Sequence, residues 1–513
     1  MRMGLIGCDR SKLIIILTSA MLGLLFLLAW RYEKPPRAWE IEDLPIAFWA
    51  WQSQAPEEAD LQRAIAEARA NALFLRAGQI DFEGDRLRRI RALRGEFPRP
   101  IKLHLVYNGT RSFLSSFERI EPLPLAAALA NLYREDTERA QKEGARVIGI
   151  QLDIDAPTRL LGRYGEALRL LRERLPPDAA LSITGLPTWI DSPAINSVLA
   201  AVDFWIPQCY GARIPERLDQ VFPISSPRSV KRAIIGARRL KRPFYAGLAA
   251  YGYAIHYARD GSLIALRGDL NPALVVRSGD LELIERRPFA ETEPSEWRYV
   301  YRARNDCVLD GLVIRAGESL MLDMPNAETL RACARIVRQN GGEGLLGICI
   351  FRLPGSNDPT TLSIGEIVAA LNDRPAAIAC DARIGSAGGE QAGSTISLTI
   401  ANSGAASSLL GEGAMSVELH LPPRSLRGVS LNGFTAHEML CAIPGIEPRV
   451  CGAKRANRLR LHALLWRSGD TAQANIHLTG KLPQTVHAAF RILTDDGREW
   501  VEEKSLPVKG MSE

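Results

Sequence analysis

Two aspartates separated by one residue close an apolar run and are the residues best suited to acid–base chemistry. The run, residues 147–155, reads VIGIQLDID, and in a β-strand its side chains alternate between two faces. One face is aliphatic, whereas the other carries Gln151, Asp153 and Asp155. Two carboxylates this close split their pKa values, so that one stays ionised while the other is an acid near neutral pH. Protonation of a glycosidic oxygen needs such an acid.

A structural role is the alternative for the same residues. The aspartates would then cap the following helix and pair with Arg159 or Arg163. Asp155 is sufficient for that role by itself. The structural role therefore leaves Asp153 and Gln151, on the polar face, without an explanation. The pattern therefore favours a functional carboxylate pair.

Short apolar runs alternate with amphipathic segments from residue 45 onward, which is typical of β/α units around a parallel sheet. Strands are predicted at 45–53, 71–79, 101–108, 147–155, 180–188, 203–211, 243–253 and 345–353. Eight such units over 45–373 predict a (β/α)₈ barrel of the TIM type, with an insertion of extra β-structure at 258–325. A doubly wound open sheet is the competing topology. In the barrel, the aspartates lie at the C-terminal end of strand four, where barrel enzymes place their active sites.

Aromatic residues are concentrated at the predicted C-terminal strand ends. The set consists of Trp49, Trp51, Tyr107, Trp189, Tyr210, Tyr251 and Tyr253. Aromatic faces stack on the apolar faces of sugar rings, although each of these residues taken alone is more often part of a core. If Tyr210 faces inward, Gln208 does as well, so both are expected in one cleft with the aspartates.

Strand four also resembles the D-G-x-D-x-D-x-E motif of family 18 chitinases and related glycosidases. Those proteins are (β/α)₈ barrels that cleave N-acetylhexosamine polymers with substrate assistance. The resemblance places Asp155 at the general-acid Glu and Asp153 at the Asp that orients the 2-acetamido group. Residues 208–211, QCYG, resemble the family's M-x-Y-D, which places Tyr210 at the acetamido-bonding Tyr. Phe351 falls near the Trp that floors the sugar site.

The chain departs from the chitinase pattern at several positions. Ile148, Gln151 and Gly211 stand where that family has Asp, and Asp155 is one methylene shorter than Glu. Over its whole length the chain looks more like the bacterial domain-of-unknown-function family 3142, which brings no established activity. The resemblance to the chitinases implies a glycoside hydrolase that acts on envelope or extracellular polysaccharide. A non-catalytic glycan-binding barrel and a structural envelope protein are the alternatives.

The chain beyond residue 375 has a different pattern, with period-two alternation interrupted by Gly, Ser and Asn turns. This pattern predicts a β-sandwich over 376–510. It contains no cluster of titratable residues, so we assign it packing, positioning or binding rather than chemistry.

The N-terminus predicts a membrane segment. Residues 13–30 are apolar and uncharged, between a tail at 1–12 and a linker at 31–44. An uncleaved anchor is favoured over a cleaved signal because no good cleavage site follows. The bulk of the chain is then expected to be periplasmic on the inner membrane, or secreted. Cys441 and Cys451 either close a small loop there or remain separate thiols.

Composition excludes several classes of protein. With 513 residues, 46% hydrophobic and 24% charged, the chain is globular rather than disordered. A net charge of +6 with scattered arginines predicts no nucleic-acid partner. The eight cysteines form no C-x-x-C pair, so neither a metal nor another cofactor is expected. The expected partners are a glycan and, through residues 13–30, a membrane.

Overall fold

The computed structural model describes residues 39–40, 44–83, 86–211, 213–355, 358–387 and 394–510. The anchor predicted at 13–30 lies outside the described residues and stays a prediction. Within those described ranges, no helix has both the length and the apolar character needed to cross a bilayer.

Eight parallel strands close into a barrel. Barrel strands one to eight are Ile46–Ala50, Ala70–Glu83, Lys102–Gly109, Arg146–Asp153, Ala180–Gly185, Phe204–Pro207, Phe244–Ala249 and Leu345–Phe351. Each strand pairs with the next, and strand one also pairs in parallel with strand eight, which closes the sheet. The barrel prediction is therefore confirmed and the open sheet is excluded.

Helices surround the strands. They are Glu58–Ala68, Arg111–Ser116, Pro122–Lys142, Leu161–Arg172, Ile195–Leu199, Pro227–Arg239, Ala327–Asn340 and Ile364–Leu371, with single 3₁₀ turns at Thr158–Leu160 and Pro187–Trp189. Because side chains alternate along each strand, the barrel has two apolar layers. Leu105 and Ile150 belong to the layer under the helices, whereas Phe74 and Ile206 fill the interior of the barrel.

Strand two is longer than its sequence pattern predicts. It continues to Glu83 and forms a hairpin with an antiparallel strand, Arg86–Ala92. Arg89 in this hairpin reaches the helix Pro122–Lys142 and donates to both carboxylate oxygens of Asp136, at 2.7 and 2.6 Å. The hairpin is thereby fixed to the outer layer of the barrel.

The insertion between strand seven and its helix is a five-stranded antiparallel sheet. Its order is Leu263–Arg267, Tyr253–Tyr257, Ser319–Met324, Trp297–Ala303 and Leu281–Pro288, accompanied by a hairpin of Cys307–Leu309 with Leu312–Ile314 and the helix Pro272–Arg277. Tyr253 belongs to this sheet, although the sequence pattern places it at the end of strand seven. The chain leaves the barrel at Gly252, where a Cβ atom would lie 2.2 Å from the carbonyl oxygen of Asp323.

The C-terminal region is β-rich, as predicted. Its ten strands are Cys380–Ala387, Ser394–Asn402, Met415–His420, Leu426–Asn432, Ala436–Ile443, Ile446–Val450, Arg458–Ala463, Thr471–Leu478, Thr485–Leu493 and Glu499–Gly510. They join into one hydrogen-bonded sheet, because the first and the last of them pair in parallel and connect its two halves. Both halves contribute to one apolar core. A disulfide joins Cys441 and Cys451, whose Cα atoms are 5.9 Å apart.

The C-terminal sheet is attached to the barrel and to the insertion by hydrogen bonds. The side chain of Asn326 donates to the carbonyl oxygen of Asp495 at 2.7 Å, and Arg467 donates to that of Asp358 at 2.9 Å. Leu409 and Leu410 also pack into the apolar core of the insertion. That this region serves packing, positioning or binding stays a prediction.

Candidate active site

Strand four presents its polar residues to the barrel interior. Ile150, Leu152 and Ile154 pack under the outer helices, so the intervening Gln151 and Asp153 point inward. Asp155 follows the end of the strand and is exposed at the C-terminal mouth. The structure therefore gives strand four the two faces that its sequence predicts.

Asp153 is held in a half-buried position by its neighbours. The hydroxyl of Thr184, on strand five, donates a 2.6 Å hydrogen bond to Asp153 Oδ1. Burial and the charge of Asp155 raise the pKa of Asp153 to about 7, whereas the Thr184 bond and the Arg76 charge oppose that rise. Burial also raises the pKa of Asp155, since the walls of the mouth partly desolvate a side chain that remains exposed. Both carboxyl groups therefore have pKa values above the usual range of an aspartate.

The structural alternative for the aspartates finds no support in the arginines that it requires. Arg159 pairs with Glu118 at 2.8 Å, and Arg163 donates to the carbonyl oxygen of Ile120 at 2.9 Å. The helix Leu161–Arg172 has no side-chain cap at its N-terminus. Neither helix capping nor pairing with Arg159 or Arg163 therefore accounts for Asp153 and Asp155.

Arg76 on strand two is part of the site, although it is not among the site residues predicted from the sequence. Its Nε donates to Asn108 Oδ1 at 2.9 Å, and its Nη1 donates to the carbonyl oxygen of Trp51 at 3.3 Å. The guanidinium also lies over the Trp51 ring, 4.9 Å from its centroid. Its signal was a charged residue inside the apolar run NALFLRAG, at a position where the strand must either bury that charge or use it.

Phe351, at the end of strand eight, is the centre of an aromatic cluster at the mouth. Its ring centroid lies 5.5 Å from Trp51, 5.7 Å from Tyr210 and 4.9 Å from Tyr251. Phe351, Trp51 and Tyr251 are each half-buried, so they retain accessible ring surface. The structure therefore brings together four of the aromatic residues selected from the sequence.

Tyr210 faces inward. Phe204, Ile206 and Tyr210 line the barrel interior, whereas Trp205 and Cys209 pack in the outer layer, as alternation predicts. Burial is the main cause that raises the pKa of Tyr210 well above its usual value, with contributions from Tyr251 and both aspartates. The Tyr210 hydroxyl is therefore protonated and is a hydrogen-bond donor near the carboxyl groups. Gln208 is half-buried two residues earlier.

Two of the aromatic residues predicted to stack on sugar lie elsewhere. Tyr107 and Trp189 are both fully buried in the layer between strands and helices. Tyr107 shares the outward face of strand three with Leu105, and its hydroxyl donates to Asp136 Oδ2 at 2.8 Å. Trp189 lies in a 3₁₀ turn and donates to the carbonyl oxygen of Ala156 at 3.1 Å. Their expected contact with a glycan is corrected to a packing role.

Trp49 and Gln151 support the site from below instead of lining it. Trp49 is 3% exposed and Gln151 is fully buried. The indole Nε1 of Trp49 donates to Gln151 Oε1 at 2.7 Å, and Gln151 Nε2 donates to Ser182 at 3.3 Å. Both point into the barrel, as alternation predicts, but they lie one layer too deep to contact a substrate.

Two clefts border the aromatic cluster at the mouth, and neither has Asp153 or Asp155 in its lining. One, of about 340 Å³, lies beside Trp51 and Arg352 between the ends of strands one and eight. The other, of about 700 Å³, includes Tyr210 in its wall and extends from the turn Pro187–Trp189 along the helix Pro227–Arg239. Among the residues that the structure describes, no group of three or more His, Cys, Asp or Glu side chains is arranged to hold a metal ion.

These features define a TIM-type barrel with a coupled carboxylate pair at its C-terminal mouth. Residues 123–277, which carry strands four to seven, match the family model described as a domain of unknown function, DUF3142. The family resemblance inferred from the sequence is therefore confirmed for this part of the chain. No curated protein matches the sequence.

Several solved structures are similar to the chain. A chitinase from Chromobacterium violaceum ATCC 12472 is 16% identical, with 64% of this chain and 98% of that chain covered and a TM-score of 0.44. The spore cortex-lytic enzyme SleL of Bacillus cereus is 15% identical, with 64% and 74% covered and a TM-score of 0.43. The GH18 chitinase ChiB of Flavobacterium johnsoniae is 13% identical, with 64% and 94% covered and a TM-score of 0.37. The barrel assignment rests on the strand pairing and not on these likenesses.

Proposed function

We propose that this protein is a glycoside hydrolase that acts on a polysaccharide of the cell envelope or the extracellular space. The observation that carries the proposal is the coupled pair Asp153 and Asp155 at the barrel mouth, where the pKa of Asp153 is raised to about 7. Such a pair retains one proton near neutral pH, which glycosidic bond cleavage requires. The rings of Trp51, Tyr251 and Phe351 beside it offer stacking surfaces for pyranose units.

We assign the acid role to Asp155 and the assisting role to Asp153. Asp155 is the exposed member and can approach a glycosidic oxygen, whereas Asp153 is recessed and fixed by Thr184. Asp153, whose pKa is raised to about 7, holds the shared proton in the resting site and passes it to Asp155 before the bond is cleaved. Asp153 is then ionised and stabilises the positive charge that develops next to the anomeric carbon. Tyr210, a protonated donor near both carboxyl groups, orients the substituent that assists the reaction.

We also propose that the chain works outside the cytoplasm, anchored in the inner membrane or secreted. The disulfide between Cys441 and Cys451 supports this location, because such bonds persist in oxidising compartments. The apolar segment 13–30 supplies the anchor or the export signal in this proposal.

The test is hydrolysis of a glycan panel that contains chitin oligosaccharides, peptidoglycan and acidic polysaccharides, followed by reducing-end release. Asp155→Asn is expected to lower turnover by about 10²-fold or more and to retain glycan binding, because the amide keeps the shape but donates no such proton. Asp178→Asn is the matched control, since Asp178 is an exposed aspartate at the opposite end of the barrel, before strand five. If the wild-type protein hydrolyses nothing in the panel, the proposal fails.

A second candidate is a barrel that binds glycans without cleaving them. It is favoured by one feature, the shorter side chain of Asp155 compared with the Glu of the chitinase pattern. Asp155→Glu separates the two candidates. An enzyme adapted to Asp loses activity through misplacement of the acid, whereas an inactive binder gains activity with the longer side chain.

A further inference from the structure

The larger cleft beside the aromatic cluster has a strongly basic wall. Its volume is about 700 Å³, and one aspartate, Asp191, is the only acidic residue in its lining. The arginines of the lining are Arg213, Arg228, Arg232 and Arg239. Tyr210 forms part of the same wall and also stacks on Phe351 at 5.7 Å, so the cleft adjoins the aromatic cluster of the candidate active site.

Three of these arginines lie on one face of the helix Pro227–Arg239. Arg228, Arg232 and Arg239 are spaced by four and seven residues, which aligns them within about 40° around the helix axis. The helix begins at a capping box in which the side chain of Ser226 accepts from the backbone N–H of Ser229 at 3.2 Å. The cap fixes the first turn, so the row of charges has a defined position over the cleft.

The guanidinium groups are available to a ligand. Arg228, Arg232 and Arg239 are exposed, and the Arg232 contact with Asp191 is a solvent-exposed one at 3.4 Å. Exposed ion pairs of this kind contribute little free energy, so a ligand can replace this one at small cost. Arg213 lies over the Phe222 ring at 5.4 Å and faces the cleft from the loop after strand six.

We propose that this cleft binds the acidic groups of the glycan on which the carboxylate pair acts, an inference that rests on the function proposed above. The ligand carries an anionic substituent (carboxylate, sulfate or phosphate) on sugar units two or more positions from the cleaved bond. Arginine forks match the planar oxygens of such groups with paired hydrogen bonds. The substrate class is thus an acidic polysaccharide.

The opposite cleft gives the bound chain a direction. It carries Glu57 and Asp269 in its lining, whereas its Arg352 is paired with Asp358 at 2.7 Å. An acidic chain is repelled there and attracted on the Arg228 side. The acidic part of the glycan therefore extends from Asp155 toward the helix Pro227–Arg239.

An acidic glycan is favoured over a nucleic acid because of where the arginines lie. They line one cleft whose wall includes Tyr210 of the aromatic cluster, and the net charge of the chain is only +6. A phosphodiester chain that passed from the cleft into the mouth would meet Asp155. The test therefore includes a single-stranded oligonucleotide as a competing ligand.

The experiment measures binding of fluorescently labelled polymers to the full chain at 50 and 200 mM salt. Hyaluronan supplies carboxylates, dextran sulfate supplies sulfates and poly(glycerol phosphate) supplies phosphates, while carboxyl-reduced hyaluronan and chitohexaose are the neutral probes. Wild-type protein is expected to bind at least one acidic polymer with strong salt dependence. The double substitution Arg228→Gln with Arg232→Gln should weaken that binding about tenfold or more.

The control is the double substitution Lys231→Gln with Arg242→Gln, which has the same loss of charge outside the cleft. Lys231 lies on the same helix and Arg242 follows that helix, before strand seven. Both residues are exposed, and neither belongs to the cleft lining. This control is expected to bind the acidic polymer as the wild-type protein does. Thermal unfolding of all variants should be unchanged, because these are exposed side chains.

Three outcomes overturn the inference. They are equal binding by the arginine double variant and wild type, absence of binding to every acidic polymer, and binding of the oligonucleotide alone. Each can occur while wild type still hydrolyses a neutral glycan, in which case the proposed hydrolase stands and only the inference falls. Conversely, arginine-dependent binding without any hydrolysis supports the cleft and contradicts the hydrolase.

Discussion

Thr184 donates a 2.6 Å hydrogen bond to Asp153 across strands five and four, and this bond stabilises the ionised form of the carboxyl group. Thr184→Val removes it, so the pKa of Asp153 should rise above about 7. A hydrogen bond to a charged group contributes about 1.5–3 kcal/mol, which predicts a shift of about one pH unit or more. The limb of the pH–rate profile that reports loss of the shared proton should move to higher pH by that amount.

The control for this change is Thr184→Ser, which keeps the hydroxyl and removes only a methyl group. Carbon-detected NMR titration of the Asp153 carboxyl group gives the same information without a substrate. A Val variant that titrates like the wild-type protein would contradict the assigned role of Thr184.

Asp155 raises the pKa of Asp153 through its negative charge, second only to burial. Asp155→Asn should therefore lower the pKa of Asp153 below about 7, because the neighbouring charge is absent at every pH. Asp155→Glu keeps the charge and should keep most of the shift. NMR titration of Asp153 in both variants measures the difference, and an unchanged pKa in the Asn variant would show that the two groups are not coupled.

The sequence predicts the barrel and the centre of the site because period-two alternation is a strong signal in buried parallel strands. Alternation placed Asp153 and Gln151 inward on strand four and Tyr210 inward on strand six, as the structure has them. The same rule, applied to strand three, places Tyr107 outward with Leu105. The prediction for Tyr107 is wrong because a position near the end of a strand does not determine which face the side chain occupies.

The sequence does not predict how deep a side chain lies in the barrel or in which direction a turn places it. Gln151 and Asp153 share a face, yet one is fully buried and the other half-buried, because the barrel interior is packed in layers along its axis. Trp189 enters the core through a 3₁₀ turn whose direction no periodicity specifies. Arg76 is recognisable in the sequence as a lone charge in an apolar strand. Its partners, Asn108 and Trp51, come from other parts of the chain, so its role is not predictable from its own strand.

The corrected role of Tyr107 can be tested by removing its hydroxyl. Tyr107→Phe eliminates the 2.8 Å hydrogen bond to Asp136, which keeps its ion pair with Arg89. The free energy of unfolding should fall by about 1 kcal/mol, while glycan affinity and turnover stay unchanged. Trp51→Ala, at the accessible aromatic cluster, should weaken glycan binding instead. Denaturant unfolding and a binding titration on the same two variants give the comparison, and loss of binding in Tyr107→Phe would reinstate it as a substrate contact.

A second buried carboxyl pair, Glu296 and Asp323, fastens the loop after strand six to the insertion sheet. The backbone N–H of Ile224 donates to Asp323 at 2.9 Å, and that of Ser225 donates to Glu296 at 3.1 Å. Both side chains are almost fully buried, and the charge of Asp323 contributes to the raised pKa of Glu296. Burial is the largest cause that raises the pKa of Asp323 to about 7 and that of Glu296 well above its usual range.

This pair should make the protein less stable as the pH rises. In the unfolded chain both groups lose their protons near pH 4, whereas in the folded chain Asp323 retains its proton up to about pH 7. Between those values the folded state binds more protons, so the free energy of unfolding falls with increasing pH, by up to about 1.4 kcal/mol per pH unit for each extra proton. Asp153, with the same direction of shift, adds to this slope.

Asp323→Asn tests how much the pair of Asp323 and Glu296 contributes to the pH dependence of the free energy of unfolding. The amide is neutral at every pH and still offers an oxygen to the N–H of Ile224, so the variant should show a flatter dependence of stability on pH between about 4 and 7. Asp153→Asn should remove a separate share of the slope, and the double variant should combine the two effects because the groups lie in different clusters. Urea unfolding at half-unit pH steps measures all four proteins. A slope in Asp323→Asn equal to that of wild type would show that Asp323 is already ionised in the folded protein.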